Sequence, residues 1–186
     1  LPSYFRYGCK HGLCNAHRLR SLEFLLERYP QAWVKKLKDL LLEIQAAVEK
    51  AVSKAKTRLP VKTLDDFSTR YDAILKQGFR QNPSPTSEIE YKRKRGRPKQ
   101  SFAKNLLDRL RDHKESVLAF MYAFNVPFDN NLAERDIRML KVKQKISGCF
   151  RSLHGANIFC VIRGYINKNR KNGQRVLEVL QSAFDG

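Results

Sequence analysis

Long apolar runs are missing from this sequence. No stretch approaches the roughly 18 apolar residues of a membrane-spanning helix. The first residues, LPSYFRYGCK, lack the extended apolar run of a signal peptide. Cysteine is also sparse: Cys9, Cys14, Cys149 and Cys160 in 186 residues are too few for the disulfide framework of a secreted scaffold, so reduced thiols are expected. No internal repeat is visible, and no segment reads clearly as a strand. These absences argue against a membrane protein, a disulfide-stapled scaffold and a repeat array. They leave a soluble chain of the cytoplasm as the expectation.

Acidic residues are the other shortage. Eighteen Asp and Glu stand against 37 Lys and Arg, a net charge of +19. The hydrophobic content is an ordinary 42%, enough for one domain with a core, or for a core plus an appendage. An excess of this size implies a polyanionic partner, because phosphate backbones attract such a surface whatever their sequence. A ribosome-type or merely soluble basic protein is the plain alternative. An anionic membrane surface fits less well, since the helical stripes suit a core better than an interface.

Apolar spacing from Ala16 onward is helical. Leu19, Leu22, Leu25 and Leu26 form one stripe, and Trp33, Leu37, Leu40, Leu41, Ile44 and Val48 form a second. Tyr29-Pro30 separates them, with Pro30 expected in the first turn of the second helix. A third helix is expected from about Pro60 to Phe79, with Leu64, Phe67, Tyr71, Ile74 and Leu75 on one side. Residues 1–79 thus read as a helical hairpin or bundle. Residues 80–100 (RQNPSPTSEIEYKRKRGRPKQ) read as a linker or arm whose six clustered charges are Lys92, Arg93, Lys94, Arg95, Arg97 and Lys99. Taking these six from +19 still leaves +13, so the helical parts are basic in their own right.

In residues 101–186, Ser101 should cap a helix whose stripe is Leu106, Leu110, His113, Val117, Phe120 and Phe124, ending near Asn125. Val126 to Asp129 form a short link. A further helix starts at Asn130 or Asn131 and is interrupted at Ser147-Gly148. Another carries Ile158, Val161, Ile162, Tyr165 and Ile166, and a last one carries Val176, Leu177, Val179, Leu180, Ala183 and Phe184. Gly173 is the natural stop between these two. The fold class is therefore mainly α.

Two segments invite chemistry. Arg95-Gly96-Arg97-Pro98 has the RGRP core of an AT-hook: glycine lets the backbone sit deep in a narrow A·T-rich minor groove, the arginines lie along its negative floor, and proline keeps the segment extended. A solvated linker or a localisation-type basic run is the other reading. At Asn131-Leu132-Ala133-Glu134 an N-cap residue precedes a glutamate by three positions, the spacing of a capping box. The same helix puts Glu134, Arg138 and Lys141 on one stripe, with Ala133, Ile137 and Leu140 expected to face the core. Glu134 is then a cap, a member of an intrahelical ion pair, or a metal ligand beside cations that hold a DNA phosphate.

Here the residues bring in a family. Val126-Pro127-Phe128-Asp129-Asn130-Asn131-Leu132-Ala133-Glu134-Arg135-Asp136-Ile137-Arg138, continued by Lys141 to Ser152, resembles the C-terminal signature of insertion-sequence-66-family DDE transposases. His11-Gly12-Leu13-Cys14-Asn15-Ala16-His17 resembles the segment following the second catalytic aspartate of that family. The KRGRPKQ stretch and Arg170-Lys171-Asn172-Gly173 also fit. Ser21, where the family commonly has glutamate, and Asn167-Lys168-Asn169 depart from the pattern.

The resemblance implies a helical insertion bundle followed by the C-terminal helices of a truncated ribonuclease-H-like core. It makes Glu134 the glutamate of the triad and a ligand of Mg²⁺ or Mn²⁺, ions that activate water or a 3′-hydroxyl for in-line attack on a phosphodiester. The two aspartates of the triad are expected upstream of Leu1, and Asp129 and Asp136 do not match their positions. DNA at the element ends is the implied partner, held by Arg135, Arg138, Lys141, Lys143, Lys145, Arg151 and, in the arm, Arg95 and Arg97. Other transposase subunits and a place at the bacterial nucleoid are implied as well. Catalysis by this chain alone is not expected. A catalytically inactive regulator, or a decayed remnant of an insertion element, is the alternative.

Cys9, His11, Cys14 and His17 lie close enough in sequence to weigh zinc, but the spacing is cramped for a structural site. A segment leading into the first helix, with Cys14 packed and His17 near the active-site side, is favoured. His113 reads as a core-edge histidine. Tyr4, Phe5 and Tyr7 either stack on bases or pack an edge.

Overall fold

Helix follows helix wherever the apolar stripes predict one. A computed structural model describes residues 6, 8–9, 11–84 and 100–185, and among them there are eight α-helices and no strand. They are α1 (Asn15–Arg28), α2 (Ala32–Ser53), α3 (Val61–Gln81), α4 (Phe102–Asp112), α5 (Lys114–Tyr122), α6 (Asn131–Ser147), α7 (Leu153–Lys171) and α8 (Val176–Asp185). The chain divides into two compact units, Leu1–Asn130 and Asn131–Gly186.

In the first unit α2 packs against both α1 and α3, and α3 packs on α4. Trp33, Leu37, Leu40, Leu41 and Ile44 of α2 meet Leu22 and Leu25 of α1 and Tyr71 and Leu75 of α3 in one core, which Leu106, Leu107 and Leu110 of α4 and Leu118 and Met121 of α5 extend. Full burial of each large aliphatic contributes on the order of 1.5–3 kcal/mol over leaving it in water, so this core stabilises the unit. The arm at 80–100 therefore joins elements of one unit, since α4 and α5 share a core with α1–α3.

Three details differ from the sequence expectation. Pro30 lies outside the first turn of α2, which begins at Ala32 with Gln31 as its extended N-cap. The helix expected to run from Ser101 to about Asn125 is two helices hinged at His113 (φ −117°, ψ 26°), and it ends at Tyr122. A break at His113 lets Leu106 and Leu110 bury on one helix and Val117, Leu118, Phe120 and Met121 on the next, more apolar positions than one straight stripe would cover. Ser101 does cap α4, accepting from the Lys104 amide at 3.1 Å.

The strap before α1 is pinned by backbone bonds from Leu13 N to Ser116 O (2.9 Å) and from Asn15 N to Phe128 O (3.0 Å). The buried Asn15 side chain donates to Val117 O at 3.0 Å. Val126 and Phe128, in the short link, pack on the core, with Phe128 edge-on to Phe120 at 4.9 Å between centroids. Gly12 is needed where the strap crosses this link, since a Cβ there would come within 2.7 Å of Val126 Cγ1. Cys14 is half-buried and its sulfur accepts from the Asn130 amide at 3.2 Å, the packed role expected of it. All four cysteines are free thiols.

The second unit is α6, α7 and α8, with α7 packed on both neighbours. Gly148 (φ 71°) and Gly173 (φ 77°) turn the chain after α6 and α7 in the left-handed region that favours glycine. Ser152 caps α7 by accepting from Gly155 N, and the Tyr165 hydroxyl donates to Val179 O at 3.3 Å. Val179 is the one buried hydrophobic residue among those described in this unit. Ile137, expected to face a core, is 51% exposed, and Leu153 (80%), Leu177 (81%) and Phe184 (89%) lie open too. Three helices without a further layer do not enclose their own apolar faces.

Candidate nucleic-acid interface

The sequence of α6, NLAERDIRMLKVKQKIS, places five cations and two acids in five turns. At 3.6 residues per turn, Glu134, Arg138, Lys141 and Lys145 fall within a sector of about 60° around the axis. All four are exposed, so one stripe of α6 presents three cations beyond a glutamate in the first turn. Arg135 lies about a quarter-turn from this stripe and Lys143 on the opposite side of the helix. Both are exposed, as is Arg151 beyond the C-terminus of α6. Of the cations expected to hold DNA, the structure thus gathers Arg138, Lys141 and Lys145 on one face and leaves the others elsewhere on the same unit. Arg95 and Arg97 lie outside the described residues, as do Tyr4, Phe5 and Tyr7.

Charge placement along α6 also suits the helix itself. Glu134 stands at the positive end of the macrodipole and Lys145 near the negative end, where each is stabilised by a few tenths of a kcal/mol. Asp136 points away from Glu134, about half a turn round the axis, and is bound by Lys171 Nζ of α7 at 2.5 Å. It is therefore committed to holding α6 against α7.

That commitment bears on metal binding. A hard divalent cation takes roughly six oxygen ligands. Glu134 offers two at most, and the nearest acid on its own helix is turned away and paired with a lysine.

A family model described as Transposase IS66 family matches residues 2–158, which include the strap, the arm and all of α6. The chain belongs to the IS66 family of transposases. No curated protein and no solved structure matches it. The matched region ends inside α7, so Glu134 and every cation of α6 lie within it. Among the described residues, no helix is long and apolar enough to cross a membrane.

Arg18 on α1 and Arg109 on α4 stand far apart along the chain, and only the packing of the first unit brings them into mutual influence. Burial holds the Arg18 guanidinium below its ordinary pKa, and the neighbouring positive charge of Arg109 pushes it further down.

Proposed function

We propose that this chain serves transposition by holding DNA at the element ends, and that it does so without cutting when it acts alone. The observation that carries the reading is the exposed stripe of Arg138, Lys141 and Lys145 behind Glu134, within a chain of net charge +19 that belongs to a transposase family. Cations at this spacing suit successive backbone phosphates, which give affinity without sequence preference. Arg135, Lys143 and Arg151 add contacts from the same unit. Arg95 and Arg97 add a minor-groove contact at A·T-rich steps.

In the complete transposase, Glu134 is the third carboxylate of the triad, and Mg²⁺ or Mn²⁺ would be held between it and two aspartates from earlier in the protein. Such ions supply a nucleophile and stabilise the leaving oxygen in phosphodiester cleavage and strand transfer. The exposed apolar residues of α6–α8 support this placement: helices of a ribonuclease-H-like core cover a sheet, and these helices have apolar surface left to cover one. A regulator that competes for element ends or joins full-length subunits is the second reading. The reading frame upstream of Leu1 separates the two: an in-frame continuation carrying two aspartates makes this part of an enzyme, and stop codons there favour the regulator.

The test is a gel shift on duplex DNA at low salt, run beside a nicking assay in Mg²⁺. Binding without nicking is expected, unchanged by Glu134→Gln. Turnover by this chain that is insensitive to Glu134→Gln overturns the role given to that residue, and failure to bind at low salt overturns the reading as a whole.

A further inference from the structure

We propose that the tip of the α2–α3 hairpin, on the first unit, is a second DNA-contact surface and takes the phosphate backbone of a duplex. This rests on the DNA-binding reading and extends it beyond α6.

From residue 50 to residue 64 the sequence runs KAVSKAKTRLPVKTL, with five cations, no acid and no aromatic. Lys50 stands in the last turn of α2, Lys54, Lys56 and Arg58 in the connection, and Lys62 in the first turn of α3. The fold gathers them. Lys36 donates to Gln77 and Arg70 to Glu43, two ties that advance seven residues along α2 and retreat seven along α3. About two turns further on, the same antiparallel register brings Lys50 beside Thr63 and Lys62. The connection is held in place as well. The amides of Ala55 and Lys56 donate to Val52 O at 2.9 Å and Ala51 O at 3.0 Å, a left-handed closure at Ala55 (φ 53°), and Leu59 is buried in the core. All five cations are exposed on this ordered frame.

Their pairing sets them apart. Lys38, Arg70, Lys104, Arg111 and Lys114 of the same unit each pair with an aspartate or glutamate. Among the described residues, no ion pair involves Lys50, Lys54, Lys56, Arg58 or Lys62. Like charges gathered at one turn repel, and Lys62 also opposes the positive end of the α3 dipole, where no acid offsets it. A bound polyanion relieves both. A duplex backbone is the polyanion that fits, because the tip offers point charges for phosphates and no ring to stack on an unpaired base. Such contacts add affinity whatever the base sequence.

The experiment titrates a fluorescein-labelled duplex with the whole chain over a series of salt concentrations. It compares wild type, the tip variant Lys54→Gln/Lys56→Gln/Arg58→Gln, a variant of equal charge loss on the same unit, Arg20→Gln/Lys35→Gln/Lys76→Gln, and the α6 variant Arg138→Gln/Lys141→Gln/Lys145→Gln. The tip variant is expected to bind about tenfold more weakly, with the slope of log K against log salt shallower by about 0.9 for each phosphate no longer neutralised, while the equal-charge control stays within about twofold of wild type. Thermal melts by circular dichroism check the fold, and if the triple tip variant does not fold, Lys54→Gln and Lys56→Gln singly decide. A tip variant equal to wild type in affinity and slope, beside a weakened α6 variant, overturns this inference alone. So does a control that loses as much as the tip variant, since the charge of the unit then acts as a diffuse whole. Wild-type binding to phosphatidylserine vesicles that the tip variant loses, with duplex affinity unchanged, gives the tip to a membrane surface instead. A wild type that binds no duplex overturns the DNA-binding reading itself.

Discussion

The Tyr71 hydroxyl donates to the Leu110 carbonyl at 3.0 Å, tying the middle of α3 to the last turn of α4. Carbonyls in a final helical turn have no partner within the helix, so this buried phenol satisfies one that packing has sealed from water. Burial also raises the Tyr71 pKa well above its ordinary value, keeping the donor protonated at any working pH. Tyr71→Phe should cost about 1–2 kcal/mol, the penalty for leaving one buried acceptor unmade. Urea unfolding measures it, and duplex affinity should be unchanged.

Gly78, on α3, faces Leu107 and Trp33 at close range. A Cβ there would stand 2.6 Å from Leu107 Cδ2 and 3.0 Å from the Trp33 ring. Alanine favours a helix over glycine by up to about 1 kcal/mol, but overpacking a tight core costs about 1–3 kcal/mol. Gly78→Ala is therefore expected to lower the melting temperature despite its better helix propensity.

Glu43 and Arg70 join α2 to α3 through a two-pronged ion pair. The hydrogen bond from Arg70 holds the Glu43 carboxyl below its ordinary 4.5. A carboxylate whose folded pKa is depressed stabilises the fold above its unfolded pKa and loses that contribution as pH falls through the folded value. Both side chains are largely exposed, so the pair contributes below about 1 kcal/mol. Arg70→Ala should be less stable than wild type at pH 7, and the gap should close as the pH falls below 4.5.

For the arm, replacing Arg95 and Arg97 together by alanine should weaken binding to A·T-rich duplexes more than to G·C-rich ones, because the minor groove narrows over A-tracts. Equal weakening on both would reduce the arm to a general phosphate contact.

Sequence periodicity suffices for most of the helices because their stripes are long and their stops chemically marked: Ser101 at a cap, Gly148 and Gly173 at left-handed turns. The break at His113 is not legible, since the stripe from Leu106 to Phe124 keeps helical spacing straight across it and only packing distinguishes one helix from two. Helical intervals put Ile137 on an apolar face; periodicity says which face is apolar, not whether anything covers it. Glu134 is legible as a candidate ligand through the family motif around it, since its spacing from Asn131 alone fits a cap.

The most direct measurement compares the salt dependence of duplex binding between wild type and the variant in which Arg138, Lys141 and Lys145 are all glutamine. With about three fewer phosphates neutralised, the slope should be shallower by roughly 2.7, at about 0.9 for each, while Lys143→Gln, on the opposite side of α6, has a smaller effect than any residue of the stripe. A triple variant with the wild-type slope and affinity would contradict the central claim that this face of α6 grips DNA.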